Sequence, residues 1–471
     1  SNIYRHITRA ANAFIRPKLL EPELYGFWSL IGTLLFYSSY SHLGSHNTMD
    51  YSVPYYDSKG EHDRSIQLKG SVFYGTLYIN IIISLSVAIY ALIGNMNTMV
   101  RLGLLTLSAL MIINWLSDFY SIHIHANLNF RLMVAKNYIE STVSLLLSAV
   151  LLYLFGIYGL YLSIILSSIL VIFYLRSKHA IEEHYRFDAK IFLDAVKKGF
   201  PILMISFSFA LIRTADRLII SFFLGNKMLG FYGIAISLFD FIMHIPGSSR
   251  AVLEPKLMQS LGSNTVEENL TAYFFKPLYN TAYLIPLLIG PVFFILPPSV
   301  SLLLPKYIPG IMSAQIIAFG VYFLALTYII RGILIANKWQ LGMFYITSVV
   351  LVLNVMMSII LIKNGFGIEG VAVSSNIAYF ILFISLMVFI FNKYEYKAKE
   401  GAALIISLLV PFLIMCVALV VLHNTTHLII QNIYAAAIFN LFLFFNLMFI
   451  VIRYARKKYP LLTGISLKDV T

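Results

Sequence analysis

The sequence predicts an all-α polytopic membrane protein of about 14 transmembrane helices. These form two pseudo-symmetric six-helix lobes plus two C-terminal helices, with both termini cytoplasmic. Three observations lead to this fold class. The composition is 59% hydrophobic and 12% charged, with a mean hydropathy of +0.82, whereas a soluble domain has about 25% charged residues. Apolar stretches of spanning length follow one another, and short glycine motifs repeat at a spacing of about 200 residues.

The apolar stretches are assigned to helices because a lone lipid-exposed strand leaves its backbone unsatisfied. The alternating pattern of a membrane β-barrel does not occur in the sequence. The predicted spans are 3–16, 24–46, 70–94, 100–126, 138–155, 157–175, 200–224, 228–253, 277–297, 311–333, 341–362, 368–391, 401–422 and 428–452.

Lysine and arginine residues determine the predicted orientation, because cytoplasmic connections carry more of them. Of the 34 such residues, the connections after odd-numbered spans hold six, whereas those after even-numbered spans, with the C-terminal end, hold 24. Both termini are therefore expected in the cytoplasm. The net charge of +13 mostly reflects this bias. No basic stretch interleaves with exposed aromatic residues, so a nucleic-acid partner is not expected.

Two of the remaining arginines, Arg213 and Arg217, lie inside the apolar span 200–224. They are one helical turn apart and share a face, and Asp216 flanks them. Charges at this depth almost always face the bundle interior or a water-filled cavity. Asp216 neutralises one guanidinium, and the other suits an anion, of which pyrophosphate matches guanidinium groups best. The alternative is an ion pair that only holds the bundle together.

Two short echoes indicate a duplicated six-helix unit. F-G-I-Y-G at 155–159 matches F-G-I-E-G at 366–370, and L-Y-G-F-W at 24–28 matches L-G-F-Y-G at 229–233. Because six is even, both units keep the same orientation, and a binding site is expected between them near mid-membrane. The predicted domains are an N-lobe at 1–181, an amphipathic linker at 182–199, a C-lobe at 200–396, and helices 13–14 with a cytoplasmic tail at 397–471.

The linker is predicted to form a helix that lies flat at the cytoplasmic surface. Phe187, Ile191 and Ala195 fall on one face of this helix, and charged residues fall on another. A solvated linker is an equal alternative.

Two segments resemble a known family. P-K-L-L-E-P-E-L-Y-G at 17–26 is similar to the A-R-L-L-G-P-E-x-Y-G pattern after helix 1 in polysaccharide flippases of the Wzx type. These flippases belong to the multidrug/oligosaccharidyl-lipid/polysaccharide exporter superfamily. Residues 199–257, which include R-T-A-D-R-L-I-I-S-F-F-L-G and V-L-E-P-K-L, are similar to that family's helices 7 and 8. Lys18 stands for the usual Arg, and Glu21 for the usual Gly.

The resemblance implies a two-lobed exporter in a bacterial cytoplasmic (inner) membrane, a transporter rather than an enzyme. Such an exporter flips undecaprenyl-pyrophosphate-linked oligosaccharide, an O-antigen or other surface polysaccharide repeat unit, to the outer leaflet by alternating access. Its expected partners are this lipid-linked glycan, membrane lipids, and a polysaccharide polymerase and chain-length regulator. The candidate substrate-binding residues are Arg213, Arg217, Arg16, Lys18, Arg331 and Arg250. For Arg16, Lys18 and Arg331, at predicted helix ends, snorkelling to the membrane surface is the alternative.

Polar rows on two further helices suggest coupling of transport to a cation, H⁺ or Na⁺, with no other cofactor. In predicted helix 4, one row comprises Asn114, Asp118, Ser121, His125 and Asn129. In predicted helix 8, Asp240 and His244 lie one turn apart. The ion-coupling candidates are Asp118, Asp216, Asp240, His125 and His244. A metal site is not expected from two ligands on one helix, and a hydrated lining for the sugar is the alternative.

Three other function classes are compared with this one. A cation-coupled multidrug exporter of the same superfamily usually has an acidic cavity, whereas the mid-span cluster here is net positive. A peptidoglycan lipid-precursor flippase shares the fold, but residues 199–257 are more similar to the polysaccharide branch. A membrane enzyme needs an outward loop that carries catalytic groups, and every predicted outward connection is short. No catalytic residue is therefore predicted.

Overall fold

The computed structural model describes residues 2–127, 129–178, 186–260 and 274–458, and in these ranges the chain is helical. The first helices are α1 (Asn2–Leu19), α2 (Pro22–Ser38), α3 (Ser45–Ser58), α4 (His62–Ile93), α5 (Thr98–Ala126), α6 (Phe130–Ser177) and α7 (Ala189–Leu224). The later helices are α8 (Asn226–Ser260), α9 (Lys276–Leu303), α10 (Ile311–Ala336), α11 (Gln340–Lys363), α12 (Gly367–Lys393), α13 (Ala398–Ile429) and α14 (Ile433–Lys458). Short 3₁₀ helices at Ser39–His42 and Pro305–Gly310 precede α3 and α10.

The all-α membrane class is confirmed. Within the described ranges, ten helical segments are long and apolar enough to cross a membrane. One of them, α6, contains two predicted spans, which meet at Gly156 with the non-helical angles φ 57° and ψ −138°. The count of about 14 spans and the cytoplasmic position of the termini stay predictions.

The predicted span 24–46 is not one helix, because the backbone leaves helical geometry after Ser38. Leu43 and Gly44 adopt left-handed φ values of 50° and 91°. Serine hydroxyls favour this break, because their hydrogen bonds to nearby backbone carbonyl groups compete with the hydrogen bonds of a helix. The Ser38 hydroxyl donates to the Leu35 carbonyl at 2.8 Å, and the Ser45 hydroxyl to the His42 carbonyl at 2.7 Å.

The first glycines of the two copies of the first sequence echo have nearly equal positive φ values. Gly156 and Gly367 have φ values of 57° and 56°, a region that favours glycine because it lacks a Cβ. Three residues later, Gly159 and Gly370 lie close to the preceding segment: an added Cβ would lie 1.8 Å from the Leu151 carbonyl oxygen and 2.7 Å from Phe366 Cβ, respectively. Both copies of the motif therefore share a positive φ at the first glycine and a close approach at the second. The duplicated six-helix unit stays a prediction.

The glycines of the second echo meet each other. A Cβ added to Gly26 would lie 2.6 Å from the Gly230 nitrogen and 1.8 Å from the Asn226 carbonyl oxygen. A Cβ on Gly230 would lie 1.8 Å from the Pro22 carbonyl oxygen. The first turns of α2 and α8 thus cross at backbone contact, as small residues allow in membrane proteins.

The chain folds into two compact units. The first comprises residues 1–221 with 225–230, and the second comprises 222–224 with 231–471. Nearly all of α7 therefore packs in the first unit. The predicted lobes divide the chain by internal repeat rather than by packing, and they stay a prediction.

The predicted linker overlaps the first part of α7, which is packed rather than free. The Asp188 carboxylate caps the helix by accepting from the Lys190 backbone N–H at 2.8 Å. Ala195 is buried in a core with Phe119 and residues of α3 and α4. The Thr48 hydroxyl donates to the Ala195 carbonyl at 2.6 Å. Ile191 and Ala195 of the apolar face thus pack against protein, whereas Phe187 is 43% exposed. The location of the linker at the membrane surface stays a prediction.

In the second unit, α10 is largely buried between α9 and α12. Gly320 allows close approach of Asn376, whose side-chain amide donates to the Ile316 carbonyl at 2.5 Å. The hydroxyls of Ser358 and Ser374 are 2.5 Å apart and join α11 to α12. These small and polar contacts are typical of helix packing in lipid, where apolar burial gives little net gain.

The Gly26–Gly230 crossing gives a direct stability test. We expect Gly26→Ala to lower the free energy of unfolding by about 1–3 kcal/mol, because the added methyl group overlaps the α8 backbone. The measurement is thermal unfolding of the purified protein in detergent. Gly32→Ala is the matched control, since it lies in the same helix and an added Cβ meets nothing within 4 Å. Equal unfolding temperatures for the two variants would contradict the close approach.

Candidate functional site

The charged turn of α7 lies inside the protein in the first compact unit. Asp216 is buried, with 6% of its surface exposed, and Arg213 and Arg217 are partly buried. The Asp216 carboxylate accepts from the Arg217 backbone N–H at 2.8 Å. All three residues make further non-covalent contacts. The predicted cluster is therefore one local group of two cations and one anion.

Tyr37 connects this turn to the C-terminal end of α2. The Thr214 hydroxyl donates to the Ala210 carbonyl at 2.7 Å, so the Tyr37 hydroxyl is the donor in its 2.6 Å bond to Thr214. The Tyr37 and Phe207 rings meet edge to face, with centroids 6.1 Å apart. These contacts orient the charged turn relative to α2.

A polar cavity of about 450 Å³ lies beside the end of α2, between the 3₁₀ turn, α3, α4 and α5. Its polar lining includes Ser38, His42, His46, Asn80, Asn114 and Asp118. Asn80 of α4 donates its side-chain amide to the Ser41 hydroxyl at 2.8 Å, which holds the 3₁₀ turn against the cavity. Two residues of the predicted helix 4 row, Asn114 and Asp118, thus share a wall of this cavity.

The rest of that row has other partners. His125 Nδ1 lies 2.6 Å from an Asp50 carboxylate oxygen, and the two side chains are 47% and 44% exposed. Ser121 accepts from Lys136 Nζ at 2.6 Å, and Lys136 Nζ lies 3.5 Å from a Glu140 carboxylate oxygen. His125 therefore contacts an exposed carboxylate of α3 and does not belong to the lining of the cavity.

The histidine pair His42 and His46 was not predicted from the sequence. Their rings stack with centroids 4.5 Å apart and an angle of 11° between the planes. The Gly44 backbone N–H donates to His42 Nδ1 at 3.0 Å, so the ring proton of neutral His42 is on Nε2. His46 is 5% exposed, and its Nε2 makes no hydrogen bond with any described residue. The pairing depends on the left-handed turn at Leu43 and Gly44, which the apolar pattern does not reveal.

The other candidates lie elsewhere. Arg16 lies in the last turn of α1, with its guanidinium carbon 5.8 Å from the centroid of the Trp28 ring, a cation–π contact. Lys18 is exposed. Arg331 on α10 and Asp240 on α8 are partly buried in the second unit. The side chains of His244 and Arg250 lie outside the described part of the structure.

Metal ligation is not indicated in the described part of the chain. No group of three or more His, Cys, Asp or Glu residues there is arranged to hold a metal ion. The structure thus places two groups of polar residues next to α2. One is the charged turn of α7, and the other is the cavity lined by Asp118 and the two histidines.

Comparison with known proteins agrees with the sequence prediction. Residues 58–260 match a family described as polysaccharide biosynthesis protein. An uncharacterized membrane protein of Methanocaldococcus jannaschii, MJ1375, is 24% identical over 261 residues, which is 52% of this chain and 61% of that protein. The match thus spans less than two thirds of the relative.

Solved structures share the fold over most of the chain. The lipid II flippase MurJ in an inward closed conformation has a TM-score of 0.72 at 17% identity, covering 97% of both chains. An inward-facing multidrug resistance transporter of the MATE family has a TM-score of 0.64 at 13% identity, covering 86% of this chain and 99% of its own. A MOP superfamily transporter from Pyrococcus furiosus has a TM-score of 0.57 at 12% identity, covering 86% and 96%. The match of residues 58–260 to a polysaccharide biosynthesis family supports the predicted resemblance, and the fold is the one that these transporters share.

Proposed function

We propose that the protein flips an undecaprenyl-pyrophosphate-linked oligosaccharide, an O-antigen or other surface polysaccharide repeat unit, across a bacterial cytoplasmic membrane. The observation that carries this proposal is the charged turn of α7. An arginine at the centre of a membrane-spanning helix costs about 2.5–3.5 kcal/mol on insertion scales. Two such residues in one turn are retained at this cost, which indicates a role beyond spanning the membrane.

The charge of this turn suits the proposed ligand. Arg213 and Arg217 carry two positive charges, and Asp216 carries one negative charge, so the turn is net positive. Guanidinium groups bind phosphate oxygens through paired N–H donors, and such charge-assisted bonds are about twice as strong as neutral ones. We therefore assign the pyrophosphate of the lipid carrier to these two side chains. Arg16, Lys18, Arg331 and Arg250 are secondary candidates along the path of the head group.

The proposed mechanism is alternating access. The head group enters from the cytoplasmic side and its phosphates meet the charged turn, while the polyprenyl tail stays within the apolar layer of the membrane. Rocking of the lobes then opens the cavity to the outside. The attraction of the phosphates to the guanidinium groups offsets part of the cost of moving a polar glycan through a low-dielectric interior. A polymerase and a chain-length regulator would use the product at the outer leaflet.

Coupling to H⁺ or Na⁺ belongs to the same proposal. Asp118 is the candidate that we favour on geometry, because it lines the same polar cavity as the stacked pair His42 and His46. Asp216 and Asp240 are alternatives on α7 and α8. His125 is less suited, since it is paired with Asp50 and exposed. His244 stays a candidate from the sequence alone.

A second candidate is a peptidoglycan lipid-precursor flippase, which is favoured by the match of 97% of the chain to the lipid II flippase. A cation-coupled multidrug exporter is a third, by similarity to the MATE transporter. Deletion of the gene separates these functions. Loss of one surface polysaccharide with internal accumulation of its lipid-linked precursor supports the proposal, whereas arrested peptidoglycan synthesis or drug sensitivity alone supports an alternative.

The arginine assignment is tested by Arg213→Gln and Arg217→Gln. Each substitution removes a charge-assisted hydrogen-bond donor worth about 1.5–3 kcal/mol, so we expect transport to fall roughly 10- to 100-fold. The measurement is translocation of the lipid-linked oligosaccharide in membrane vesicles. Arg213→Lys keeps the charge without the planar donors and should give an intermediate rate.

The matched control for these substitutions is Arg64→Gln. Arg64 is 69% exposed and pairs with Glu61 at 2.7 Å on the surface, where such a pair contributes at most about 1 kcal/mol. We expect this variant to transport normally. Normal transport by both Arg213→Gln and Arg217→Gln would refute the assignment.

The coupling hypothesis is tested by Asp118→Asn, Asp216→Asn and Asp240→Asn, singly and combined. We expect at least one variant to lose the response of transport to an imposed proton or sodium gradient, because neutral asparagine cannot exchange charge with a cation. Asp50→Asn is the surface control. Gradient-sensitive transport at the normal rate in the triple variant would show that none of these carboxyl groups couples the cycle.

A further inference from the structure

The first compact unit contains an apolar groove of about 480 Å³ between α2, α4, α5 and α7. Its floor is formed by buried side chains, including Leu107 and Leu203, which are 1% and 3% exposed. Its rim includes Leu43, Tyr90 and Phe200, which are 39%, 64% and 40% exposed. A buried floor with an exposed rim makes this feature a channel along the helices rather than a flat face.

One face of α7 leads from this groove to the charged turn. Phe200, Leu203, Met204 and Phe207 all line the groove, and their spacing of three and four residues places them on one helical face. Thr214 lies seven residues after Phe207 and repeats the same face, about 10 Å further along the axis. The apolar face is thus continuous with the turn that carries the arginines.

Tyr37 marks the end of the groove next to that turn. Its ring lines the groove, and its hydroxyl donates to Thr214 at 2.6 Å. Thr214 follows Arg213 directly and precedes Arg217 by three residues. The groove therefore reaches the helical turn of α7 that carries Arg213 and Arg217. An apolar groove next to this turn suits a lipid with an anionic head and a long apolar tail.

The groove also borders the polar cavity, since Ser38, Ser41 and Met111 line both. A ligand with its tail in the groove would thus place polar head-group atoms beside hydroxyl, amide and imidazole groups. A peptide helix or a second copy of the chain lacks this combination of one apolar tail and one anionic end.

We propose that the groove holds the polyisoprenoid tail of the lipid carrier while the pyrophosphate binds Arg213 and Arg217, an inference that rests on the proposed function. Membrane lipid is as apolar as the groove, so the tail gains packing contacts rather than hydrophobic transfer energy. The head group therefore supplies most of the affinity, and the groove orients the carrier. Since the head group supplies most of the affinity, a measurement of whether the groove is occupied tests the proposal better than a measurement of binding affinity.

Cysteine protection tests the occupancy of the groove. In a Cys416→Ala background, Met204→Cys places a thiol in the groove, and Ile202→Cys, on the same helix and outside the groove lining, is the control. The protein in lipid nanodiscs is labelled with a membrane-permeant maleimide. A long-chain polyprenyl pyrophosphate, at about ten times its Kd, should slow labelling of Met204→Cys about tenfold. Labelling of Ile202→Cys should not change.

The outcomes separate the groove from the function. Protection by the long-chain probe, but not by inorganic pyrophosphate or by added phospholipid, supports the proposal. Equal protection by phospholipid, or no protection while the probe binds and the arginine variants fail to transport, overturns the groove and leaves the proposed function intact. Absence of probe binding together with normal transport in the arginine variants overturns both.

A filled groove provides an independent test that does not depend on a cysteine. Val87→Trp introduces a large ring from α4 into the groove, whereas Leu85→Trp places the same ring on an exposed position of α4 outside its lining. We expect Val87→Trp to lower transport by roughly tenfold or more, because the carrier is misplaced relative to the arginines. Leu85→Trp should transport normally. Equal transport in the two variants would contradict the proposal.

Discussion

The constraint on which the structure depends is the cost of charge in a low-dielectric membrane. Most of the lysine and arginine residues avoid this cost by lying in the connections between apolar segments. Arg213 and Arg217 do not, and the fold accommodates them in a packed turn of α7 with buried Asp216 beside them and Thr214 bonded to Tyr37. Nearly all of α7 packs within the first compact unit, where Asp216 is buried.

Several special backbone positions of the fold are glycines that belong to the two repeated sequence motifs. Gly156 and Gly367 share a positive φ, and Gly26 and Gly230 are in contact. The sequence reveals both pairs of glycines as repeated motifs, because a position that tolerates only glycine keeps this residue in each copy. Their geometry was not predictable, since the meeting of two glycines about 200 residues apart depends on how whole helices pack.

Hydropathy predicted the ten long apolar helices of the described ranges, whereas it found the site only in part. The pattern does not distinguish a continuous helix from the break at 39–44, because serine and glycine are compatible with both. The break is what stacks His42 on His46 and forms a wall of the polar cavity. Asp118 was found from helical spacing, whereas the histidines and the groove required tertiary contacts. The first unit thus presents an apolar channel, a cationic turn and a polar cavity on adjacent surfaces of α2 and α7, the combination that an amphipathic anionic lipid needs.

The most direct measurement is an experimental structure of the protein with a bound polyprenyl pyrophosphate. The account predicts phosphate oxygens within about 2.7–2.9 Å of the guanidinium nitrogens of Arg213 and Arg217, the usual length of a charge-assisted bond. It also predicts that the chain of the lipid leaves this turn along the face of α7 that carries Phe207. A diphosphate bound away from both arginines, with each guanidinium in a buried ion pair with a carboxylate, would contradict the central claim.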